Sequence, residues 1–247
     1  MKKTILAILI LAFCVSISGA GITDKLRAVI AAKNAGGEEP PAGLAYIGAV
    51  TGAISSDNPL SLPTMSYNAG DLVVVTLGYR YTDHSLSSVS DGTNSWTCGT
   101  NHETEDIETE TCYSVIGSSQ TDATIVITFT NNLYMEATAL RFTGSFPITA
   151  SVLDKDIKEP DSLGSTTDAE ITSGVFAQAS EVVVVQVVTD GATTCTADTG
   201  DGFTEASDGV YTCVSYKIIS ETTSLTVNTT LGTSDYYLAG LTSYKSQ

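Results

Sequence analysis

The chain has 247 residues, with 11 Lys or Arg against 28 Asp or Glu and a formal net charge of −17. That balance repels nucleic acid and anionic membrane surfaces, so neither is an expected partner. The length is enough to bury a substantial core, and about a quarter of the residues are Ser or Thr, which with abundant Val, Ile and Tyr points to strands with polar outer faces.

At the start, Lys2 and Lys3 precede an apolar run from Ile5 to Ile17 and the small residues Ser18-Gly19-Ala20. This is the pattern of a secretory signal peptide over residues 1–20, cleaved after Ala20. The run is shorter than the ~20 residues a membrane-spanning helix needs, so no transmembrane segment is expected after cleavage. Subtracting Lys2 and Lys3 from the 11 basic residues leaves 9 against 28 acids, a balance of −19. Cys14, within the apolar run, is preceded by Phe13, a poor residue before a lipidated cysteine.

Residues 21–43 read as a leader and linker. Leu26, Val29 and Ile30 share one side of a short helical pattern between Ile22 and Lys33. The Gly- and Pro-rich stretch from Asn34 to Gly43 then breaks it.

From Leu44 onward the chain reads as strand and turn, and it repeats itself. Ala69-Gly70-Asp71-Leu72-Val73-Val74-Val75 returns as Ala179-Ser180-Glu181-Val182-Val183-Val184-Val185. Asp91-Gly92-Thr93-Asn94-Ser95-Trp96-Thr97 returns as Asp198-Thr199-Gly200-Asp201-Gly202-Phe203-Thr204, and Thr111-Cys112-Tyr113 as Thr212-Cys213-Val214. Ala139-Leu140-Arg141-Phe142 is answered by Leu241-Thr242-Ser243-Tyr244. The order is kept and the offset stays near a hundred residues, so two related halves are expected, about 44–145 and 165–247. In the first, Val73, Val75, Leu77, Tyr79 and Tyr81 alternate with Thr76, Gly78 and Arg80. In the second, Val183, Val185 and Val187 keep that parity, with Gln186 in the place of Thr76. The expected fold is therefore all-β: one antiparallel two-sheet sandwich over 44–247, each half supplying about five strands and covering the other's apolar face. The joining segment, Gly144 to Ser173, has room for further strands.

These landmarks, with Thr138-Ala139-Leu140-Arg141-Phe142-Thr143-Gly144, Gly202-Phe203-Thr204 and Tyr211-Thr212-Cys213-Val214-Ser215-Tyr216-Lys217, resemble a jelly-roll-type β-sandwich family. That family occurs in exported bacterial and archaeal surface proteins and in phage tail or virion proteins. The resemblance covers residues 44–247 and implies display, adhesion or assembly. It brings no catalytic residues, and the signal peptide favours a cellular, exported member.

Cys98, Cys112, Cys195 and Cys213 remain after signal removal. An even number in an oxidising compartment reads as two disulfides; three pairings are open, and the local one, Cys98–Cys112 and Cys195–Cys213, is favoured because it keeps each bridge inside one half. A zinc site is disfavoured, since no C-x-x-C is present and neither histidine is suitably spaced.

The sharpest candidate for ligand chemistry is the repeated acidic turn. Asp91 with Asn94, and Asp198 with Asp201, offer oxygen ligands to calcium, although each loop shows only two of the six to eight oxygens calcium takes. The alternative is that these side chains shape a turn ahead of a core aromatic. Five acids between Asn101 and Glu110 (Glu103, Glu105, Asp106, Glu108 and Glu110) read as a solvated hairpin tip able to attract a basic partner. His84 and His102 are the only histidines, and no nucleophile-elbow pattern supports a triad around either. No acid pair is marked for glycoside hydrolysis. Trp96, Tyr79, Tyr81, Tyr134, Tyr236 and Tyr237 are the aromatics available to stack on sugars, though Tyr79, Tyr81 and Trp96 have core parity. Asn228-Thr229-Thr230 fits a glycosylation acceptor.

Together these readings describe an exported, non-catalytic β-sandwich with a structural or adhesive role at the cell surface or beyond. Its expected partners are copies of itself, surface proteins or glycans, and it requires no cofactor. The alternatives are a subunit of an extracellular filament or coat assembling by strand addition, and a glycan-binding module or secreted hydrolase.

Overall fold

Four valines in succession, Val182 to Val185, can bury every side chain only if both faces of their strand are covered. The computed structural model meets that condition. It describes residues 43–54, 58–80, 85–104, 107–131, 134–148, 152–159 and 166–247, all within one compact unit, Pro40–Gln247. The signal segment, the helical pattern of the leader, the linker to residue 42, and His84 and Tyr81 lie outside the described residues.

Nineteen strands are described. In the first half they are β1 (Ala45–Ile54), β2 (Leu60–Ser61), β3 (Met65–Tyr67), β4 (Leu72–Arg80), β5 (Leu86–Ser90), β6 (Thr97–Cys98), β7 (His102–Glu103), β8 (Ile107–Val115), β9 (Gln120–Ala123), β10 (Val126–Phe129) and β11 (Tyr134–Thr143). The second half follows with β12 (Leu153–Glu159), β13 (Thr166–Thr172), β14 (Glu181–Thr189), β15 (Cys195–Thr196), β16 (Thr204–Asp208), β17 (Thr212–Ile219), β18 (Thr226–Asp235) and β19 (Tyr237–Lys245).

The repeat is one of topology as well as sequence. The large sheet of the first half runs β1-β11-β4-β8-β6, with β7 also on β8, and that of the second runs β12-β19-β14-β17-β16. The small sheets match in the same way, β2-β10-β5 against β13-β18-β15. The β3-β9 pair belongs to the first half and has no counterpart among the described residues of the second. All the pairings are antiparallel.

The all-β antiparallel sandwich is therefore present, with its layers distributed differently from expectation. Each half covers its own apolar face. Val73, Val75, Leu77 and Tyr79 pack against Leu60, Ile127 and Phe129 of the first half's small sheet and against Ile125, which immediately precedes β10. Val183, Val185 and Val187 pack against Ile171, Val227 and Leu231 of the second. A third core joins the two large sheets by their other faces: Leu72, Val74, Leu140 and Phe142 meet Val182, Val184, Val214 and Tyr244. Ile107 of β8, Val188 of β14 and Leu238 of β19 form a separate, smaller cluster between the large sheets. The halves thus have more than five strands each, and the second begins at β12, well before residue 165.

The same layering explains why β4 and β14 are buried almost throughout. Parity alone assigns Thr76 and Gly78 to an outer face, whereas they lie in the seam between the halves. At Gly78 the large sheets come so close that a Cβ would overlap the Thr212 methyl and sit 2.9 Å from Val188 Cγ2.

Candidate functional site

The two acidic turns are built from hydrogen-bond donors. Asp91 Oδ1 accepts the backbone N–H groups of Thr93 (2.9 Å) and Asn94 (2.8 Å). Its Oδ2 accepts the Tyr67 hydroxyl and the side-chain amides of Asn94 (2.8 Å) and Gln120 (3.0 Å). Asn94 Oδ1 then receives the N–H groups of Gly117 and Ser118, each at 3.0 Å. Five donors therefore occupy the directions from which a cation would approach Asp91. Partial burial pushes the Asp91 carboxyl up, but the hydrogen bonds from Tyr67, Asn94 and Thr93 outweigh it and hold the group below the usual carboxylate range.

In the second half, Asp198 Oδ1 accepts Asp201 N–H (3.2 Å) and Oδ2 accepts Asn228 N–H (2.9 Å). Trp96 packs against the first core and Phe203 is buried in the second. Both motifs are thus turns that precede a packed aromatic; the oxygens of Asp91, Asn94 and Asp198 are engaged in hydrogen bonds, and Asp201 is exposed. Asn228 is exposed on β18, where its side chain is open to modification.

The acidic run changes character on folding. Glu108 and Glu110 are on β8 and buried, so they form no part of a solvated tip. Glu103 is exposed, and Glu105 and Asp106 lie outside the described residues. Asn101 links Tyr79 to Glu108: its Oδ1 accepts the tyrosine hydroxyl (3.1 Å) and its Nδ2 donates to Glu108 Oε2 (2.7 Å). Burial pushes the Glu110 carboxyl up to about 7; Lys158 opposes the shift, while Glu108 and Asp156 add to it. His102 is held below its ordinary pKa by burial and by the Lys158 cation. Lys158 lies 3.0 Å from Asp156 Oδ1, and Asp156 Oδ2 accepts Thr100 N–H from the other half (3.2 Å).

Further polar contacts cross the seam. Thr109 Oγ1 donates to Gln186 Oε1 at 2.7 Å. Glu136 accepts the N–H groups of Val210 (2.9 Å) and Tyr211 (3.0 Å) and the Thr212 hydroxyl (2.9 Å). Arg80 pairs with Asp190 at 2.6 Å and lies over the Tyr211 ring. Tyr46 stacks on Tyr216 with ring centres 4.1 Å apart, and burial followed by the neighbouring Tyr216 pushes the Tyr46 hydroxyl up to about 12. These residues were not singled out as functional from the sequence, and their work is to join the halves.

Cys98 pairs with Cys112 and Cys195 with Cys213, as the local spacing predicts. Glu110 lies beside the first pair and Asp208 beside the second. With each pair joined, the sulfurs are not available as the thiolate ligands a metal would need. Two disulfides fit an oxidising, extracellular environment. Among the described residues no helix is long and apolar enough to cross a membrane.

Of the aromatics considered for sugar stacking, Tyr79 and Tyr237 are buried, Tyr134 rests edge-on against Tyr211, and Tyr236 is about half exposed. The feature that sequence reading missed is at a sheet edge. A groove of about 260 Å³ runs between Ile47–Val50 of β1 and Thr64–Ser66 at β3, with Arg141 in its lining. β1 ends its sheet, and Ile47 is 50% exposed. The available signal was a ten-residue strand without one charged residue.

No family model, curated relative or solved structure matches this chain.

Proposed function

We propose that the protein is an exported structural module, acting at or beyond the cell surface by display, adhesion or assembly and not by catalysis. The observation that carries this reading is where the disulfides lie. One clamps the short edge strand β6 to β8, and the other ties β15 of a small sheet to β17 of a large one. A covalent staple in each half, added to a body already joined through a third core, suits a protein that must keep its shape outside the cell. The polar groups that sequence reading offered for ligand chemistry are largely engaged in turns or in the seam, which supports the same conclusion.

The test is fractionation of the native source, with alkylation of free thiols before any reductant is added. The expected result is protein in the surface or extracellular fraction with Cys98, Cys112, Cys195 and Cys213 unalkylated. Recovery from the reducing interior with all four alkylated sinks the reading. A second reading, a subunit that assembles by strand addition, is favoured by the uncharged β1 edge.

A further inference from the structure

The two halves offer an internal comparison, because β1 and β12 hold the same place: each is the terminal strand of its large sheet, paired on one side with the last strand of its half. β12 reads Leu-Asp-Lys-Asp-Ile-Lys-Glu, five charged residues in seven. Charges on an edge strand discourage pairing with another chain. β1 reads Ala-Tyr-Ile-Gly-Ala-Val-Thr-Gly-Ala-Ile, ten residues with neither a charge nor a proline. Among the described residues, one edge is guarded by charge and its topological twin has neither a charge nor a strand on its outer side.

We infer that β1 is a self-recognition edge, pairing antiparallel with β1 of a second copy about a two-fold axis through Thr51. This narrows the strand-addition reading above and rests on it. The strand's own composition selects the occupant: a second β1 presents the same uncharged, proline-free strip, so the pairing brings no charge to the edge, whereas the net negative charge of the chain as a whole opposes contact between copies elsewhere on the surface.

Side-chain size selects the register. A bulge at Tyr46/Gly48 leaves Gly48–Ile54 as the regular part of the strand. Centred on Thr51, the pairing sets Val50 against Gly52 of the second copy, Ala49 against Ala53, and Thr51 against Thr51. Large meets small, small meets small, and two hydroxyls meet at the axis. Thr51 already bonds the hydroxyls of Thr138 (3.2 Å) and Ser207 (3.0 Å), so the contact extends an existing row. The groove beside Ile47–Val50 leaves room on the small-sheet side for the second copy's side chains.

Such an isologous contact closes at two copies. The paired strip is ~23 Å long. A contact through one strand is small beside the ~800 Å² per partner of a stable complex, so the dimer is expected to be weak and concentration-dependent.

The experiment is sedimentation velocity of the purified, disulfide-bonded protein from about 1 to about 500 µM, for the wild type, T51K, T51E and an equimolar mixture of the two variants. Circular dichroism checks that each variant is folded. The wild type is expected to move from monomer to dimer, each variant alone to bind itself at least tenfold more weakly, and the mixture to regain the dimer. A wild-type dimer that T51K and T51E leave unchanged overturns the β1 assignment while strand addition at another edge stands. Open-ended polymer overturns the two-fold register. A wild type that stays monomeric throughout overturns both this inference and the assembly reading.

Discussion

At the scale of single residues, equivalent positions of the two halves solve the same problem with different chemistry. Asp71 closes its turn by accepting Asn68 N–H at 2.7 Å, and Glu181 closes the matching turn by accepting Gln178 N–H at 3.2 Å. The residue just before each carboxylate has a positive φ, 92° at Gly70 and 71° at Ser180. Glycine adopts that conformation freely, whereas serine pays a steric cost there. Ser180→Gly is therefore expected to stabilise the protein by about 0.5–1 kcal/mol, read as a rise in Tm of about 2 °C; an unchanged or lower Tm contradicts it. Glu110 yields a pH prediction. Burial raises its folded pKa to about 7 from a reference of 4.5, so the folded state binds the proton more tightly than the unfolded chain. Its stabilising contribution is full below about pH 4.5 and is lost as pH rises through about 7. Glu110→Gln should remove that component, so the Tm difference between variant and wild type grows from pH 5 to pH 8 in the variant's favour. A pH-independent difference would refute the assignment.

At the scale of elements, the central strands show what was legible and what was not. The alternation of Val73, Val75, Leu77 and Tyr79 correctly indicates one core face, while the cysteine positions allow three pairings, of which the structure has the local one. Leu72, Val74, Val182 and Val184 carry a further signal, since an unbroken apolar run marks a strand covered on both sides. Parity reading that stops at one face passes over it. Glu108 and Glu110 mislead for the opposite reason: a run of acids reads as solvated, yet β8 extends through them and burial follows from the layer packed above. Gly78 is the sharpest test of the close approach. Gly78→Val places a branched side chain against Thr212 and Val188 and is expected to cost about 2–3 kcal/mol. Gly48→Ala, where nothing lies within 4 Å of the added carbon, should stay within ~0.5 kcal/mol by denaturant titration. Equal effects at the two positions would mean that the sheets separate readily at the seam.

For the whole molecule, the third core decides how the chain behaves. Leu72, Val74, Leu140 and Phe142 are buried only because Val182, Val184, Val214 and Tyr244 face them, and Glu136 and Arg80 find partners across the same seam. Neither half can lose its fold without exposing the other's apolar face, so unfolding is expected as one cooperative calorimetric transition. Two separated transitions would show that each sandwich is self-sufficient. The residues themselves determined the all-β class, the internal repeat and the parity of the central strands. These follow from local periods, which a linear sequence displays directly. Only the tertiary structure decided that each half closes its own sandwich, that the two meet through a third core, and that uncharged β1 and charged β12 are the terminal strands of the two large sheets among the described residues. Those outcomes depend on which apolar face finds which partner across about a hundred residues, and burial of apolar surface is non-directional, so no local pattern encodes the choice.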